Sequence, residues 1–207
     1  MKKVILILAG AAILGSSAFG QVLLNPGATT PIVPNIGLGP GAVIDSRIDN
    51  FTGLDVFNNV AFTGRMESAV LRRPSGRLTF LYRFVNLGGG FADPIERVAM
   101  SSFAGYATEV AQTAGLALGA PVVLATAADR SANARTVGFD FFGNVPAGSN
   151  SSMLWIDTNA FQYQPGAVAI INGGVATVQA FAPVPEPATM AALGLGVAAL
   201  IRRRRTK

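Results

Sequence analysis

Ten carboxylates lie between Gln21 and Pro183: Asp45, Asp49, Asp55, Glu67, Asp93, Glu96, Glu109, Asp129, Asp140 and Asp157. They are the main side chains in that stretch from which a catalyst could be built, because the chain has no histidine and no cysteine. That excludes imidazole acid–base catalysis, thiolate chemistry, disulfides and every Cys/His zinc site. A Ser-His-Asp triad cannot exist, no lysine falls between residues 21 and 183 to replace the base, and Gly-x-Ser-x-Gly is absent. A carboxylate pair of the kind that hydrolyses glycosidic bonds is what remains. The spacing pairs no two of the ten, and solvated strand faces and turn caps account for them. Asp45, Asp49 and Asp55, with Asn50, offer hard oxygens of the sort calcium takes. Their spacing is not that of an EF-hand loop, and capping of turns explains it as well. No catalytic residue, metal ligand or cofactor is expected.

Aromatic rings are the other candidates for contact with a ligand. Trp155 and Tyr163 could stack on sugar rings if they reach an exposed face. Trp155 lies between Leu154 and Ile156, which reads as burial, and Tyr82 shares a strand face with Leu78, Phe80 and Phe84.

The elements that would position these side chains are strands. Arg77 to Phe84 alternates, with Leu78, Phe80, Tyr82 and Phe84 on one face and Arg77, Thr79, Leu81 and Arg83 on the other. The preceding Arg65 to Arg72 is joined to it by Arg73-Pro74-Ser75-Gly76, where proline presets the turn and glycine accepts positive φ. A hairpin is predicted there. Val137, Phe139 and Phe141 alternate with polar or small residues, and another strand begins around Trp155. Ala167–Ile171, Asn172-Gly173-Gly174 and Val175–Phe181 predict a second hairpin. Tyr106 to Ala120 is ambiguous: its Ala and Leu content permits a short helix, while Gly105, Gly115 and Gly119 oppose one. The fold expected is all-β, an antiparallel β-sandwich of jelly-roll or Ig-like type over residues 42–183.

Charge separates this domain from its ends. Formal net charge is +5, but residues 21–183 hold nine arginines against ten acids. The central segment is therefore slightly acidic and carries no basic stripe for nucleic acid. Basicity belongs to the termini. Met1-Lys2-Lys3, the apolar run Val4–Leu14 and small residues through Ala18 and Gly20 read as a signal peptide over residues 1–20, cut before Gln21. Export through the Sec machinery and cleavage by signal peptidase follow. Residues 21–41 hold Pro26, Pro31, Pro34 and Pro40 among four glycines, a linker or an edge-hugging arm.

Residues 184–207 carry an address. Val184-Pro185-Glu186-Pro187 is followed by an uncharged apolar run, Ala188–Ile201, and then by Arg202, Arg203, Arg204, Arg205, Thr206 and Lys207. As a helix the run spans about 21 Å, short of a hydrocarbon core of about 30 Å. That suits a temporary transmembrane helix better than a permanent one. The basic clusters at both ends belong on the cytoplasmic side, leaving the segment between them exported.

These three parts in order resemble the PEP-CTERM sorting signal of Gram-negative bacteria. The resemblance implies recognition of Pro185-Glu186-Pro187 by exosortase, a membrane protease, and association with extracellular polysaccharide. Ser101–Tyr106, Thr136–Phe141, Asp157–Ala160 and Ile171–Thr177 are similar to a recurrent ectodomain of such proteins, which brings no activity with it. The reading that results is an exported, non-enzymatic protein of the cell surface or extracellular matrix, transiently anchored in the inner membrane. The alternatives are a carbohydrate-binding module and, third, a carboxylate-based glycan hydrolase.

Overall fold

A computed structural model describes residues 21–32, 34, 40–113 and 121–184. The expected signal peptide, most of residues 33–39, the stretch 114–120 and the sorting tail from Pro185 onward lie outside the described residues. Within them the secondary structure is strand alone: β1 (Val22–Leu23), β2 (Thr29–Pro31), β3 (Ala42–Leu54), β4 (Val60–Arg72), β5 (Leu78–Gly88), β6 (Ile95–Met100) and β7 (Thr108–Thr113). There follow β8 (Val122–Val123), β9 (Ala127–Arg130), β10 (Val137–Val145), β11 (Asn150–Ser151), β12 (Met153–Thr158), β13 (Tyr163–Asn172) and β14 (Gly174–Pro183). In the ambiguous stretch 106–120, Thr108–Thr113 is a strand, paired with β12 and β1, and residues 114–120 lie outside the described residues.

Both predicted hairpins are present. Arg72 faces Leu78 across the β4–β5 turn, where the Arg73 N–H donates to Arg77 O at 2.9 Å and Gly76 has φ +82°. In β13–β14 the pairing runs from Tyr163↔Pro183 to Asn172↔Gly174, and Gly173 takes φ +56° at the reversal. The hydrogen-bonded path is antiparallel, in the order β1-β7-β12-β5-β4-β3-β14-β13-β6-β10-β9-β2, with β11 and β8 as a short parallel offshoot beside β5.

That path corrects the expected sandwich, because the sheet does not divide in two. It continues from β3 to β14 through the pair Val175↔Leu54 and wraps into a barrel-like form. Its two outer ends are tied by one short segment: β1 lies on β7, β2 lies on β9, and the chain crosses between them in a turn containing Gly27 at φ +75°. Closure of this kind leaves fewer strand edges open to other chains.

Inside, the inward face of β5 supplies Leu78, Phe80, Tyr82 and Phe84, all essentially inaccessible. Phe80 meets Phe103 edge-on at 5.9 Å and Phe84 meets Phe141 at 5.4 Å, contacts that span the interior between opposite walls. Each edge-to-face pair adds roughly 0.5–1.5 kcal/mol beyond the apolar area it buries. On the outer face of β5, Thr79 and Leu81 are buried as well. Trp155 and Ala111, register partners of each other, pack with Leu81 there in a second small cluster.

Candidate functional site

The long strands run between two ends of the barrel, here the base and the tip. Arg72, Leu78, Thr108, Val137, Thr158 and Pro183 stand at the base; Leu54, Gly88, Ile95, Val145 and Gly174 stand at the tip.

Arg130 organises the base. It ends β9 on the same face as the buried Ala128, and only 5% of it is exposed. Among the described residues it has no carboxylate partner, and main-chain carbonyls take that place. Its Nη1 donates to Leu24 O (3.1 Å), its Nη2 to Phe103 O (3.0 Å) and Tyr106 O (2.7 Å), and its Nε to Ala134 O (3.3 Å). Burial lowers its pKa, yet a guanidinium stays charged at any ordinary pH. One cation thus fastens the N-terminal segment, the loop after β6 and the β9–β10 turn together.

Tyr106 extends the fastening to the end of the domain. Its hydroxyl donates to the carbonyl of Val184, whose N–H donates to Gln162 O at 3.2 Å. The residue just before Pro185 is therefore held on both polar groups. At the other chain end, Gln21 Nε2 donates to Asp157 Oδ2 at 3.2 Å, also at the base. Asp157 pairs with Arg73 at 2.6 Å and accepts from the Thr79 hydroxyl. Arg73 and Asp157 border a cleft of about 190 Å³ that Ser75, Arg77, Glu109 and Asn159 also line. A second cleft, lined by Leu24, Tyr106 and Arg130, opens at the same end.

Five of the ten carboxylates are held by arginines. Glu67 lies between Arg65 and Arg83, Asp49 is paired with Arg47, Asp157 with Arg73, and Arg97 binds both Asp129 (2.7 Å) and Asp140 (2.5 Å). Its hydrogen bond with Asp129, then that with Asp140, outweighs burial and raises the pKa of Arg97. Gly138 makes room for this cluster, because a Cβ there would overlap the Arg97 guanidinium and Asp129 Oδ1. Asp45 accepts from the Tyr163 hydroxyl at 3.1 Å, and Asp55 caps its own turn. Among the described residues no three acids converge as a metal site would require.

The rings singled out as possible ligand contacts are used in packing. Trp155 is 1% exposed, so neither face of its indole is open to a sugar. Tyr163 stands edge-on to Phe181 at 5.4 Å with its hydroxyl on Asp45. Of the proposed sorting and cleavage residues, Gln21 and Val184 are described and both lie at the base. Ala18, Gly20, Pro185, Glu186, Pro187 and Arg202–Arg205 fall outside the described residues. The sequence reading missed Arg130 and the exposed rings of the tip. The only sequence signal for Arg130 was its place one alternation after Ala128 in a short strand.

At the tip, Val56 and Phe57 are 85% and 80% exposed, and Phe91 is 66% exposed. Their loops are internally braced. Asp55 Oδ1 accepts from the amides of Phe57 and Asn59, both at 2.8 Å, and the Phe91 amide donates to Val60 O at 3.2 Å.

Residues 183–205 match a family described as the PEP-CTERM protein-sorting motif. The chain carries a PEP-CTERM sorting signal. The match begins at the last residue of β14, so the domain runs into the signal with no spacer. Such a signal implies export, anchoring in the membrane and processing by exosortase, a membrane protease. No curated protein and no solved structure matches the chain.

Proposed function

We propose that this PEP-CTERM protein delivers its β-domain to the cell surface or the extracellular polysaccharide matrix, where the domain acts by contact rather than by catalysis. The observation that carries this reading is the direct junction of β14 with the sorting signal: the barrel-like β-domain is the cargo that the signal addresses. The occupied carboxylates support it, since a glycosidase needs one carboxylic acid kept protonated and a second group poised beside it. Five of the acids are instead engaged in ion pairs with arginines. The test is fractionation of cells with and without the exosortase. Surface or matrix location that depends on the protease supports the reading, and an unprocessed periplasmic protein in both strains refutes it.

Binding of glycans is a second reading, and the tip favours it. Phe57 and Phe91 present open ring faces on braced loops, which suits stacking on sugars at little entropic cost. A glycan array with the processed protein and with Phe57→Ala decides it. Binding that the substitution removes supports this reading, and no binding at millimolar sugar refutes it.

A further inference from the structure

Charge is segregated along the barrel axis. The connecting loops at the base contain Arg73, Arg77 and Arg135, whereas the loops at the tip contain Asp55 and Asp93 and no arginine. At the base, Asp157 on β12 is paired with Arg73 and Glu109 on β7 borders the same cleft, so the positive excess there rests on Arg72, Arg77 and Arg135. Arg72 and Arg77, flanking the β4–β5 turn, are exposed. Phe161, 59% exposed, packs beside Gly76 of that turn. Both ends of the described chain, Gln21 and Val184, emerge at this same basic end.

From these observations we propose that the base is a lipid-facing surface that rests on anionic phospholipid headgroups while the tail is in the membrane. The inference relies on the anchoring that the sorting signal implies. Three residues separate Val184 from the apolar run at Ala188, and even fully extended they reach no more than about 14 Å. Val184 is itself fixed by Tyr106 and Gln162, so the domain cannot drift away on a long stalk. A basic surface held that close to an anionic leaflet lies within one or two Debye lengths, where attraction to headgroups is strong. Phe161 supplies an apolar ring of the kind that settles into the interface. The acidic tip, with Val56, Phe57 and Phe91, is then turned away from the membrane and towards whatever the protein contacts.

The chain has no cysteine, so single labels can be placed cleanly. The full-length protein carrying a fluorophore at Ser75→Cys (base) or Phe57→Cys (tip) is reconstituted into vesicles containing headgroup-quencher lipid. One set contains phosphatidylglycerol and the other only phosphatidylcholine. The expected result is quenching several-fold stronger at the base than at the tip in the anionic vesicles. The difference should shrink at high salt, in phosphatidylcholine, and in an Arg72→Gln/Arg77→Gln protein whose melting matches the parent. Equal quenching at the two ends of a chain that floats with the vesicles, or a difference indifferent to lipid charge and salt, overturns the proposal alone. Failure to float with either vesicle overturns the anchoring reading and this proposal with it.

Discussion

The carbonyl oxygen of Tyr106 lies 2.7 Å from Nη2 of Arg130, and the hydroxyl of the same tyrosine holds Val184. A buried cation is thereby linked through one side chain to the last residue before the sorting motif. The arrangement stabilises because a charged donor is added to main-chain carbonyls at the base, two of which also accept from neutral donors: Leu24 O from the Thr108 hydroxyl at 3.1 Å and Phe103 O from the Tyr106 N–H at 3.3 Å.

Replacing Arg130 should therefore destabilise strongly. Arg130→Met leaves Leu24, Phe103, Tyr106 and Ala134 without this donor. We expect a loss of about 3 kcal/mol or more in chemical denaturation of the full chain. Arg130→Lys should recover only part of it, because an ammonium has three donors on a point charge and cannot span the fork. A lysine variant as stable as the parent would contradict the carbonyl-cage account.

Tyr82 gives the domain an alkaline limit. It is fully buried, its hydroxyl donates to Phe181 O at 2.5 Å, and burial raises its pKa well above the usual value. A folded-state pKa above the unfolded one means stability is intact below the unfolded value of about 10 and falls as pH rises beyond it. Tyrosinate absorbance should consequently appear together with unfolding above about pH 10. Tyr82→Phe should cost about 1 kcal/mol at neutral pH and flatten that alkaline limb. A smaller dependence should persist from Tyr163, whose pKa is raised first by burial and then by its bond to Asp45.

Gly138→Ala tests the ion cluster. A methyl group there displaces Arg97 or Asp129, so thermal or chemical denaturation should show a loss of roughly 1–3 kcal/mol. An unchanged stability would mean that the cluster tolerates displacement and fixes nothing.

Asp55 should titrate low. Desolvation pushes its pKa up, but hydrogen bonds from Asn59 and Phe57 outweigh that and hold it below the ordinary value. Its contribution is therefore present above about pH 4 and disappears as pH falls through the depressed value. Amide chemical shifts of Phe57 and Asn59 should report this transition below about pH 3.9. Asp55→Ala should speed their amide exchange while leaving β4 protected.

Much of the strand content was legible because alternation and turn chemistry are local. Leu78, Phe80, Tyr82 and Phe84 lie inside as their spacing predicts, and Pro74 and Gly76 turn the chain where they fall. Closure was not legible. It depends on the pair Leu54↔Val175 and on Val22 and Thr29 finding β7 and β9, contacts between segments far apart in the chain. Burial of the outer face of β5 was not legible for a related reason: Leu81 and Thr79 are buried by their surroundings and not by their own periodicity. The sorting motif was legible because it is contiguous and is read by a protease as sequence. The base was not, because Arg130, Tyr106, Gln162 and Val184 meet only once the barrel closes.

The central claim is that this barrel is cargo for a sorting protease. The most direct test is the mass of the mature protein's C-terminus, recovered from cells with the exosortase and from cells without it. The account predicts a chain lacking Arg202–Lys207 when the exosortase is present and retaining those residues when it is absent. An intact arginine cluster in both strains would contradict it.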